Sequence, residues 1–211
     1  MRLLSRTAIL LMVSCSLWGQ AQSSGVSIES KLDTPQARVY FATLKPHVPV
    51  PARTGHATDR ALLYLDDGVM TMQDGSAKPE TIQFHRGDFR WRAASGAYIA
   101  ENISDHPIRI LEIDLKAKPS GPAPVSKLDP TVVDAAHYKV VFENEAVRVL
   151  RVHYDAHDQG KEHQHLLNRV VLYLNDQTGA KTDDVRMSGP GTHTEQNTGD
   201  QPADRIAVEI K

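Results

Sequence analysis

An internal repeat constrains this chain more than any other feature. Asp59-Arg60-Ala61-Leu62-Leu63-Tyr64-Leu65 aligns with Asn168-Arg169-Val170-Val171-Leu172-Tyr173-Leu174. Gly96, Asn102, Asp105 and Pro107 match Gly191, Asn197, Asp200 and Pro202 at one constant offset, and Ile113-Asp114-Leu115-Lys116 ends as Val208-Glu209-Ile210-Lys211 ends. Upstream, Ala37-Arg38-Val39 matches Val147-Arg148-Val149. Anchors kept in one order mark a tandem duplication, so whatever one copy folds into, the other is expected to fold into as well. Between the copies, Lys118-Pro119-Ser120-Gly121-Pro122-Ala123-Pro124 suits neither a helix nor a central strand. The expected layout is a first copy over residues 30–116, a linker over 117–130 and a second copy over 131–211.

The texture within each copy is β. Ile108 to Leu115, Val147 to Tyr154, Arg169 to Leu174 and Arg205 to Ile210 are short runs rich in Val, Ile, Leu and Tyr, punctuated by Gly, Asp, Asn and Pro. No segment keeps an apolar period of 3.6 residues with caps at its ends. Closely spaced short strands predict an all-β chain of two small antiparallel barrels or jelly rolls, whose strands turn alternate residues inward.

With 24 Lys+Arg against 26 Asp+Glu, the chain carries no net basic surplus that would draw it to nucleic acid. Its single cysteine, Cys15, excludes an intrachain disulfide framework and a cysteine-based zinc site. Residues 1–21 read as an export signal: Arg2 and Arg6, an apolar run from Ala8 to Trp18, then small residues at Gly19 and Ala21. Cleavage near Ala21 and a periplasmic or secreted protein follow as expectations, with lipidation at Cys15 as the rival. No later stretch is apolar for long enough to be a membrane span.

The 10 histidines separate the copies. Glu162-His163-Gln164-His165 places two imidazoles two residues apart, on one face of an extended chain. His193 follows the Gly189-Pro190-Gly191 turn. With Asn168 offering an amide oxygen, the three imidazoles are the expected ligands of a divalent metal. The first copy carries Thr54, His56, Asp59 and Tyr98 at the matching places and lacks the set. Arg186 and Glu195, near the site in sequence, are the candidates for orienting an anionic group or moving a proton. Trp91 and Tyr98 could line an organic-ligand pocket in the first copy. His153 is expected either to line the pocket or to face solvent. His47, His85, His106, His137 and His157 are expected to face solvent.

The pattern His163-x-His165-x-x-Asn168, followed by Pro190-Gly191-Thr192-His193-x-x-x-Asn197, resembles the two motifs of the cupin superfamily, and the duplication resembles a bicupin. The resemblance implies small β-barrels and a bound Fe, Mn, Ni, Cu or Zn, with His163, His165 and His193 as ligands. Two departures stand out. The family's acidic ligand is replaced by Asn168, and Leu174 to Gly191 covers 17 positions where Leu65 to Gly96 covers 31, a β-hairpin's worth of chain.

Two functions follow as expectations. One is an exported metal-dependent bicupin with oxygenase-like or isomerase-like action on a small organic molecule. The other is a non-catalytic bicupin that binds a small ligand or serves as a scaffold. Oligomeric state stays open at this point, with uncovered sheet edges offering a route to self-association, for example as a homodimer.

Overall fold

The computed structural model describes residues 25–53, 58–94, 98–116 and 124–211. The expected export signal with Cys15, the Thr54, His56 and Gly96 positions, and the first part of the expected linker lie outside the described residues.

The first half builds strands β1 (Val26–Asp33), β2 (Ala37–Leu44), β3 (Val50–Arg53), β4 (Arg60–Tyr64), β5 (Gly68–Asp74), β6 (Glu80–Phe84), β7 (Phe89–Arg92), β8 (Tyr98–Asn102) and β9 (Ile108–Leu115). After a four-residue helix, α1 (Pro130–Val133), the second half builds β10 (Tyr138–Glu143), β11 (Val147–Tyr154), β12 (His163–His165), β13 (Arg169–Tyr173), β14 (Val185–Ser188), β15 (Gly191–His193) and β16 (Ala203–Ile210). Each half has one five-stranded antiparallel sheet, in the order β1-β2-β9-β4-β7 and then β10-β11-β16-β13-β14. The order is the same in both.

The repeat extends to single hydrogen bonds. Arg60 lies opposite Asp114 as Arg169 lies opposite Glu209, and the Leu115 amide donates to Asp59 O as the Ile210 amide donates to Asn168 O. Asn102 and Asn197, both buried, each donate from Nδ2 to a carbonyl four residues on and accept from the amide two residues on. Buried amides must be satisfied, and one side chain closes the same turn in each half.

The halves differ on the opposite face. In the first, a four-stranded sheet, β3-β8-β5-β6, covers the inside of the five-stranded sheet. In the second only β12 and β15 do so. The missing strands correspond to the β5–β6 hairpin, where the sequence is short. Among the described residues none of the four sheets closes on itself, so the expected barrels are pairs of facing sheets, and the second pair is uncovered where the hairpin would lie.

Sequence alternation accounts for the larger surprise. In β2, Ala37, Val39 and Phe41 face one way, while Tyr40, Ala42 and Leu44 face the other and pack inside the first half. The first set joins Leu63, Leu111 and Ile113 and packs against Val147, Val149, Leu172, Val208 and Ile210 of the second half. The backs of the two five-stranded sheets therefore bury each other in one continuous core, with both faces of each sheet apolar. Phe142 closes its rim against Phe89 and Trp91 at centroid distances of 4.9 and 6.0 Å. Trp91 thus serves the shared core and not a first-half pocket. Asp183 adds ion pairs to Arg86 and Arg109 of the first half at 2.6 and 2.7 Å.

The described part of the expected linker is tied down. Asp129 caps α1 and accepts from Arg148 at 2.6 Å, Ser126 donates to Gln164 at 2.7 Å, and the Gln164 amide donates to Leu128 O at 2.7 Å. This segment holds one side of β12, the strand that carries His163 and His165.

Candidate metal centre

His163 lies directly across from His193 in the β12–β15 pair, and His165 lies across from Gly191. Two-residue alternation puts all three imidazoles on the inner face. Their ring centroids are 4.5 Å (His163–His193), 5.1 Å (His163–His165) and 5.4 Å (His165–His193) apart. One nitrogen from each lies within 4.8 Å of the others, so the three can share one metal ion.

The surroundings choose the tautomers. His163 Nδ1 is 2.8 Å from Lys161 O, which can only accept, so Nδ1 carries the proton and Nε2 keeps its lone pair. That Nε2 is fully buried and has no hydrogen-bond partner. A buried acceptor without a partner costs about 1–3 kcal/mol and calls for an explanation. His165 Nδ1 lies 2.8 Å from Glu209 Oε1. Burial alone would raise the Glu209 carboxyl, but bonds from His165 and Arg148 outweigh it and hold the group below its usual value. The carboxylate therefore accepts a hydrogen bond from His165 Nδ1–H, and the other ring nitrogen is left for the centre.

Burial also keeps His165 and His193 neutral. The His193 pKa is pushed down to about 4, first by desolvation and then by its neighbours His163 and His165. Desolvation likewise holds His165 below the usual imidazole value, with Glu209 offsetting part of the effect. Neutral, oriented imidazoles with free lone pairs are what a transition metal needs. The residues fit the group.

Asn168, expected as a fourth ligand, does not join them. Its Nδ2 donates to Gln36 Oε1 of the first half at 2.6 Å, and its backbone O holds the Ile210 amide. It sits at the start of β13, beside the sheet-to-sheet core, and its side chain links the halves. Arg186 lies outside as well: it is exposed, bonded to Gly179 O and Asp184, and rests over the Tyr173 ring at 4.9 Å. Glu195 does reach the site. It lines a cavity of about 70 Å³ beside His165 and His193, accepts the Tyr138 hydroxyl at 2.6 Å on Oε2 and pairs with Arg205.

Among the remaining histidines, His137 is the one that departs from expectation. It is half-buried, bonded to Asp134 at 2.7 Å and Asp158 at 2.8 Å, and stacked on Tyr154 at 4.1 Å. Asp134, 2% exposed, also accepts the Tyr154 hydroxyl, so the pair braces the wall behind His163. His153 faces outward between Asp155 and Asp204.

Sequence reasoning missed Glu209, Arg169, Arg205 and Tyr138. Arg205, Ala207 and Glu209 alternate along β16 and so share one face; that period-two spacing beside the histidine strand was the available signal.

No family model and no curated protein matches the chain. Solved structures do. AerE from Microcystis aeruginosa superposes with a TM-score of 0.69 over 90% of this chain and 95% of that one, at 10% identity. A cupin 2 conserved barrel domain protein from Leptotrichia buccalis gives 0.56 over 88% and 89%, at 12% identity. The fold is the cupin fold. HEPD from Streptomyces albus, solved with 2-hydroxyethylphosphonate and Fe(II) bound, gives 0.62 over 88% of this cupin-like chain and 70% of its own, at 10% identity. Among the described residues no helix is long and apolar enough to cross a membrane.

Proposed function

We propose that this chain is an exported, duplicated cupin (a bicupin) that binds one divalent transition metal, Fe, Mn, Ni, Cu or Zn, in its second half. His163, His165 and His193 hold the ion, and a small organic molecule is acted on in the cavity beside it. The observation that carries the proposal is His163 Nε2: a buried ring nitrogen, without a hydrogen-bond partner, within the cluster of three imidazoles. The metal-containing Streptomyces albus neighbour supports the same reading. The ligand set contains no carboxylate, so the bound ion keeps its full charge.

A divalent metal supplies Lewis-acid polarisation of a ligand oxygen or, if redox-active, electron transfer. The chain's own groups do the rest. Glu209 and Lys161 O fix the two buried imidazoles. Glu195, held by Tyr138 and Arg205, presents a carboxylate oxygen that can accept a proton from a molecule in the cavity. Tyr138, Val152 and Val171 give the cavity dry walls. The first half, which lacks the histidine set, packs on the back of the second and stiffens the sheet that carries Glu209.

Elemental analysis of the purified protein tests the reading. One equivalent of metal is expected in the wild type, with large losses in His163→Ala and His193→Ala; wild-type protein without metal, or variants that keep it, would refute it. Export and self-association belong to the same proposal, and cell fractionation and sedimentation test them.

A further inference from the structure

The two halves treat one buried arginine differently. Arg60 and Arg169 occupy the same place, each opposite the acidic residue near the end of the last strand of its sheet. Arg60 is answered inside its own half, with Nη1 2.8 Å from Glu112 Oε2 in a fully buried ion pair. Glu112 lies across from Leu62, and the corresponding pair in the second half is Val171 and Ala207. The carboxylate has been replaced by a methyl group.

Arg169 is nevertheless kept. It is 8% exposed, and its guanidinium donates to Gly189 O at 2.8 Å, a neutral acceptor. Among the described residues no carboxylate forms an ion pair with it. Glu209, across the strand, is committed to His165 and Arg148. Arg205, the second cation of the cavity, is matched by Glu195, and it stands where the first half has Ile110. The space that Glu112 fills in the first half is open in the second: Arg169, Arg205 and Ala207 line the 70 Å³ cavity together with His165 and His193. Glu209 acts on Arg169 only through space, and a buried guanidinium without a directly bonded carboxylate is costly, which makes it a ready partner for a bound anion.

We propose that the cavity binds a small monoanionic ligand, a carboxylate of a few heavy atoms, whose charged group sits on Arg169 in place of the missing Glu112 counterpart. The volume of about 70 Å³ is that of about two waters, which suits an acid the size of acetate. The rest of such a molecule extends toward His165 and His193. This inference names the substrate class of the site proposed above and rests on that reading for its catalytic meaning. The anion site itself is built from the arginine and the empty space.

The test uses scanning calorimetry of the whole chain, metal-loaded and chelator-stripped, with sodium acetate against acetamide at matched ionic strength and metal content measured in parallel. Acetate at a hundredfold excess over its Kd is expected to raise the midpoint by about 5 °C or more, with acetamide inert. Arg169→Gln is expected to abolish that shift. Ala207→Glu is expected to raise the midpoint without added anion and to remove the acetate dependence; should it fail to fold, Arg169→Gln decides. Equal effects of acetate and acetamide, or an acetate shift that survives Arg169→Gln, would overturn the inference. An acetate response in protein that never takes up metal refutes the metal reading alone, and stoichiometric metal without an acetate response refutes this one alone.

Discussion

Replacing Glu209 by glutamine removes one charge and leaves the shape of the site almost unchanged, which makes it the most informative single perturbation. Glu209 is 0% exposed and accepts from both His165 Nδ1 at 2.8 Å and Arg148 Nε at 2.6 Å. In Glu209→Gln the amide oxygen can keep one of these bonds, while its NH2 faces a donor. Removing one partner of a buried pair costs about 3–5 kcal/mol. Arg148 keeps Asp129 at 2.6 Å and is partly exposed, so the expected loss is smaller, about 2–3 kcal/mol. The sign with pH follows from the carboxyl held below its ordinary value of 4.5. Its contribution is present above that value and is lost as pH falls through the lower, folded pKa, so wild type and variant should converge in acid. Loss of the His165 anchor should also weaken metal binding about 10–100-fold. Urea melts from pH 3 to pH 7, paired with metal titration at pH 7, check both effects. A variant as stable as wild type at pH 7 that binds metal within twofold would show that Glu209 neither supports the sheet nor orients the imidazole.

Other perturbations test separate parts of the structure. His193, with a folded pKa of about 4, binds fewer protons than the unfolded chain between there and about pH 6.5, so the stability of metal-free protein should rise with pH across that window. The full shift is worth about 3 kcal/mol, and the ring's partial solvent contact cuts this to about 1–2 kcal/mol, measurable by melts that lose their slope in His193→Gln. Gly160→Ala would place a methyl group on Asp134 Oδ2 and 2.6 Å from the Tyr154 hydroxyl. A loss of about 1–3 kcal/mol with lowered metal content is expected, and calorimetry showing no change would mean that the wall behind His163 yields freely. Leu111→Ala and Leu172→Ala, both 0% exposed on opposite sides of the shared core, should each lower one common transition by about 2–5 kcal/mol. Two resolved transitions, with only one moved by each variant, would contradict the shared core.

The all-β character, the repeat and the histidine triplet were legible in the sequence because each is a local pattern. Alternation along Val147–Tyr154 marks a strand without knowledge of its neighbours, and His163-x-His165 shares a face in any extended chain. The short stretch between Leu174 and Gly191 announced the missing hairpin, because chain length alone limits how many strands can form there. Asn168 misled for a physical reason: it stands three residues from His165, but its direction is set by where β13 begins and by Gln36, 132 positions away, to which it donates.

What the sequence could not decide was partnership across strands and between halves. Alternation makes both faces of β2 and β11 apolar but does not name what covers the outer face; the packing of two sheet backs into one core is a tertiary outcome of having two such faces in one chain. The same holds for charge. Arg60 and Arg169 are the same residue at matching places in the repeat, yet one is matched by Glu112 and the other is left facing a cavity, because the deciding position lies on another strand, at Glu112 in one half and Ala207 in the other. Local pattern determined which elements form and where the imidazoles point. Cross-strand register decided which charges are answered and left Arg169 open to the cavity.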